Sequence, residues 1–66
     1  MNVGDKVKNT VELVSLTPIP AGTPGIIQQI DRLPDGSVAL FGYEVAFEGF
    51  PLDTYPCEAS EIEVVE

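Results

Sequence analysis

Histidine and tryptophan are absent from this sequence, and cysteine occurs once, at Cys57. Without His or a Cys cluster the soft-metal ligand set is missing, so no zinc site is expected. The serines (Ser15, Ser37 and Ser60) lack a histidine base, so nucleophilic catalysis has no second player. A lone cysteine forbids an internal disulfide and suits a reducing, cytoplasmic setting. Its neighbour Glu58 would raise a thiol pKa rather than lower it, so Cys57 is expected to be a buried small hydrophobe. Long apolar runs are missing as well. The start Met1-Asn2-Val3 shows no charged-then-apolar leader, and no membrane span is expected.

Positive charge is scarce. Three bases (Lys6, Lys8 and Arg32) stand against eleven acids, for a net charge of -8. Residues 1–43 hold all three bases and a net of -1, and residues 44–66 hold seven acids and no base. Phosphate backbones and anionic bilayers are bound through Lys and Arg, so neither nucleic acid nor a membrane surface is an expected partner. The acidic half reads either as a solubilising face or as a docking face for a basic partner. Asp31 and Asp35 flank a turn, and no Asp-x-Asp-x-Asp loop supports calcium. No metal, cofactor or catalytic residue is expected, and the chain is read as a non-enzyme.

What is present is short β-branched runs cut by six Gly and six Pro. No window is long enough for an amphipathic helix, and 66 residues allow one domain, spanning 1–66. Val7, Val11 and Leu13, then Val14 and Leu16, describe a first strand from Val7 to Leu16 whose phase slips at 13/14. Three prolines between Thr17 and Gly25 predict a long, stiff loop. Strand two runs from Gly25 to Ile30, with Ile26, Gln28 and Ile30 on one face and Ile27 and Gln29 on the other. Pro34-Asp35-Gly36 is a turn signature.

Strand three starts at Val38, with Val38 and Leu40 on one face and Tyr43, Val45 and Phe47 on the other. The switch at Phe41-Gly42 predicts a glycine kink. Glu48-Gly49 turns the chain, strand four covers Leu52 to Cys57, and Glu58 to Ser60 with Glu61 allows one 3-10 turn. Ile62 and Val64 form strand five. The expected fold is all-β, a five-stranded SH3-like barrel with one short 3-10 turn before the last strand.

The residues carrying the resemblance are the opening Gly4-Asp5-Lys6-Val7, the loop ending Thr23-Pro24-Gly25, and Gly42-Tyr43-Glu44-Val45-Ala46-Phe47-Glu48-Gly49. In that order they resemble small bacterial SH3-like proteins over nearly the whole chain. The peptide-binding segments of eukaryotic SH3 domains have no counterpart here. Residues 22–30 are similar in outline to KOW-type modules, and Ala59 to Glu66 is similar to the acidic ending of the photosystem I SH3-like subunit. Leu52-Asp53-Thr54-Tyr55-Pro56 is similar to the pore strand of the plasmid-borne SH3-like dihydrofolate reductases. That likeness implies an oligomer with a ligand pore, and only Tyr55 and Pro56 match its functional strand.

Fold does not imply function. The function expected is a non-catalytic interaction or accessory module that docks on a protein partner or on copies of itself. The expected contact patch is Leu16, Ile19, Phe41, Phe50, Asp53 and Tyr55, apolar loop residues beside acids. Two alternatives remain: an oligomeric small-ligand-binding or reductase-like barrel with its pore strand at 52–56, and an acidic mimic or inhibitor of a nucleic-acid-binding protein.

Overall fold

The turn at Pro34-Asp35-Gly36 organises the longest hairpin. Leu33 N–H donates to Ser37 O at 2.7 Å and Gly36 N–H to Leu33 O at 2.9 Å. Asp35 Oδ1 accepts from the Ser37 hydroxyl (2.6 Å) and backbone N–H (2.9 Å), bonds that hold its carboxyl below the usual carboxylate range. Gly36 takes φ of +90°, which an L side chain rarely adopts.

The computed structural model describes residues 1–14, 18–50 and 54–65. Five antiparallel strands form one sheet: β1 Lys6–Asn9, β2 Pro24–Arg32, β3 Val38–Phe47, β4 Tyr55–Cys57 and β5 Ile62–Val64. Their spatial order is β4-β3-β2-β1-β5, so the last strand returns beside the first. One 3-10 turn, Ala59–Glu61, precedes β5, as expected. Glu61 Oε1 accepts the Glu58 N–H at 2.8 Å and anchors that turn. Pro24 opens β2 and Pro56 lies in β4 at the sheet's end, two places where a missing donor is tolerated.

The first strand is shorter than expected. It stops at Asn9, and Leu13 instead exchanges backbone bonds with Ile19 (2.9 and 3.1 Å) in an isolated bridge. The cause is Asn9, a buried polar side chain. Its Nδ2 donates to Val11 O (2.9 Å), Pro20 O (2.8 Å) and Ile19 O (3.2 Å), and its Oδ1 accepts from Thr23 N–H (2.8 Å). One amide thus stitches the β1–β2 connection to the end of β1 through four backbone groups.

The second strand also departs from the expected facing. Ile27 pairs with Val45 and Gln29 with Glu44, so Gln28 is one extra residue, a β-bulge. Before it Ile27 points into the core, and after it Ile30 packs there, while Ile26 is exposed. Val7, Leu13, Ile19, Ile27, Val45, Phe47, Cys57 and Ile62 make the core. Of the expected strand four, Tyr55–Cys57 is observed; Leu52 and Asp53 lie outside the described residues. No helix among the described residues is long and apolar enough to cross a membrane.

Candidate protein-contact surface

The six residues expected to share a contact patch are not gathered in one place. Ile19 is completely buried, so it belongs to the core and not to a surface; its bridge to Leu13 pulls it inward despite flanking prolines. Phe50 and Tyr55 do meet, edge to face, with ring centroids 6.3 Å apart, and Tyr55 also tilts against buried Phe47 at 6.1 Å. Both are half-buried and packed on the core, so they act mainly as a cap on that end of the sheet. Leu16 and Asp53 lie outside the described residues, as does Leu52 of the expected pore strand. Phe41 is 51% exposed. It sits in the first half of β3, whereas Phe50 follows the end of β3. At about 3.3 Å per residue, the regular stretch from Tyr43 to Phe47 alone separates them by roughly 13 Å along the strand.

What surrounds Phe41 is the more coherent surface. Between Ile30 and Arg32 of β2, and Tyr43 and Val38 of β3, the register shifts again. Two steps along β2 face five along β3, so residues 39–42 bulge out of the ladder. The glycine kink expected at Phe41-Gly42 takes this form. Gly42 is required there because a Cβ would lie 2.6 Å from Asp31 O and 2.9 Å from Ala39 O. Leu40, next to Phe41 in sequence, is 71% exposed on this bulge, and Leu33 is exposed at the hairpin tip. Leu40 was expected to share a face with Val38, and both line one groove, with Val38 half-buried and Leu40 exposed. The legible signal was the unbroken apolar run Val38-Ala39-Leu40-Phe41 before a glycine.

A groove of about 390 Å³ runs from this bulge to the 3-10 turn. Val38, Leu40 and Tyr43 line one side, Glu58, Ala59 and Ser60 the other. A second groove of similar volume crosses the outer sheet face at Ile26 and Ala46, with Lys6 and Glu48 on its rim.

Titratable groups give little chemistry. No group of three or more His, Cys, Asp or Glu among the described residues stands close enough to hold a metal ion. Cys57 is fully buried, and burial together with the Glu61 carboxylate pushes its thiol up to about 11. The native thiol should therefore react with iodoacetamide at pH 8 far more slowly than in denaturant, measured by intact mass. Fast native alkylation would contradict this burial. Because the folded value lies above the ordinary 9.0, the thiol's contribution to stability is complete below about pH 9 and is lost toward about 11.

The chain matches no family model, no curated protein and no solved structure.

Proposed function

We propose that this protein is a non-catalytic interaction module of SH3-like layout that docks on a protein partner or on copies of itself. The observation that carries this reading is the adjacent exposed pair Leu40 and Phe41, held outward by a bulge that demands Gly42. Adjacent large apolar side chains that a small domain keeps in water are the make-up of a contact site. The layout is supported by the strand order, with β5 returning beside β1, and by the 3-10 turn before β5. Three bases in 66 residues weigh against a nucleic-acid or membrane partner. The unpaired, buried Cys57 favours a cytoplasmic setting.

The test is the double variant Leu40→Ser/Phe41→Ser. Both side chains are exposed, so the thermal midpoint should move by no more than about 6 °C. Association with the co-purifying partner, or self-association measured by sedimentation, should weaken about tenfold or more. Undiminished association in the folded variant would overturn the proposal.

A further inference from the structure

We propose that the groove between the start of β3 and the 3-10 turn receives a cationic peptide segment of a partner protein, anchored by one aliphatic or aromatic side chain. This rests on the interaction-module reading above and names the partner's chemistry. The groove's apolar side is built from Val38, Leu40 and Tyr43. Opposite them stands Glu58, the only charged residue among the described residues that line it. The Glu61 carboxylate accepts the Glu58 N–H at 2.8 Å and ties the turn that carries Glu58.

None of the chain's three bases lines this groove. Lys8 is paired with Glu63 at 3.2 Å, Arg32 reaches Gly36 O at 3.1 Å, and Lys6 borders the groove on the outer face. A carboxylate beside an apolar trough on a protein of charge -8 selects for a cation flanking an apolar anchor. A second copy is the poorer occupant, because it brings the same excess of acid. The volume of about 390 Å³ accommodates one or two side chains, which suits a peptide segment rather than the face of a folded domain.

The test is titration of the isotope-labelled full chain, followed by NMR, with three synthetic peptides. The first is Lys-Lys-Gly-Leu-Phe-Gly-Lys-Lys. The second has Ser-Ser in place of Leu-Phe, and the third has Glu in place of every Lys. The first should shift the amides of Val38, Leu40, Tyr43 and Ala59, and the other two should bind about tenfold more weakly or worse. Glu58→Gln should weaken the first peptide about threefold. Raising salt from about 20 to about 200 mM should weaken it too.

Shifts that map elsewhere, equal binding of the acidic peptide, or no binding at all would each overturn the proposal. If no cationic preference is found while Leu40→Ser/Phe41→Ser still abolishes association, the interaction module stands and only the cationic partner is removed.

Discussion

Asn9→Ala should lower the thermal midpoint by more than about 10 °C. The side chain is 1% exposed and bonds four backbone groups at 2.8–3.2 Å. Two of the carbonyls have second donors: Ile19 O accepts from Leu13 N–H, and Pro20 O from the Thr23 hydroxyl. The Thr23 N–H has only Asn9 Oδ1 among the described residues. Thr23 is half-buried, so leaving its N–H unpaired costs about 1 kcal/mol, and the lost donation to three carbonyls adds to it.

A total of about 3 kcal/mol is a large share of the roughly 3–10 kcal/mol expected for a domain of this size. It converts to about 12–24 °C. Asn9→Asp separates bonding from shape. It keeps the acceptor for Thr23 but sets a carboxylate against three carbonyl oxygens, which disfavours its charged form. Its folded-state pKa is therefore raised, so part of the loss should be regained on acidification and should return as the pH climbs. Melting of Asn9→Ala within a few degrees of the parent would remove Asn9 from its place as the stitch of the β1–β2 connection.

Gly42→Ala is the second large effect, about 3 kcal/mol. The added Cβ would fall 2.6 Å from Asp31 O, 2.8 Å from Val38 Cγ1 and 2.9 Å from Ala39 O. Two of these are backbone atoms that cannot swing aside, so the bulge must move. Leu40 and Phe41 ride on that bulge, and association should weaken together with stability. Gly36→Ala is the control. Gly36 has φ of +90° but nothing within 4 Å of the added Cβ, so its cost is conformational, about 1 kcal/mol. Paired denaturant titrations should rank Gly42→Ala clearly below Gly36→Ala in stability. The reverse order would mean that the bulge is not held by close approach at Gly42.

Local chemistry was the legible part of this chain. Pro34-Asp35-Gly36 reads as a turn because each residue has its own backbone reason to be there, and the bonds to Asp35 follow. Gly49, at φ of +87°, turns the chain as expected, with Phe50 N–H on Phe47 O at 3.0 Å. The 3-10 turn and the buried thiol of Cys57 were legible for the same reason.

What escaped was long-range. The carbonyls that Asn9 binds in the loop lie 10 and 11 residues later, and no local pattern marks them. Ile19 stands between two prolines and reads as loop, yet its bridge to Leu13 carries it into the core. Ile26 and Ile27 are both apolar, so only the bulge at Gln28 decides which one faces inward. In the candidate surface the break at Phe41-Gly42 was visible, but its size was not. A kink is one residue's irregularity, whereas the observed shift sets two steps of β2 against five of β3.

Site-specific photo-crosslinking in the producing cell tests the central claim most directly. A benzophenone side chain replaces Phe41, which is exposed on the bulge, or Val14, which is 92% exposed on the β1–β2 connection and serves as the control. Phe41→benzoylphenylalanine should give one discrete adduct with a partner protein or with a second copy of the chain, and Val14→benzoylphenylalanine should give none. No adduct from position 41, or the same adducts from both positions, would contradict the assignment of the Leu40–Phe41 bulge as the contact surface.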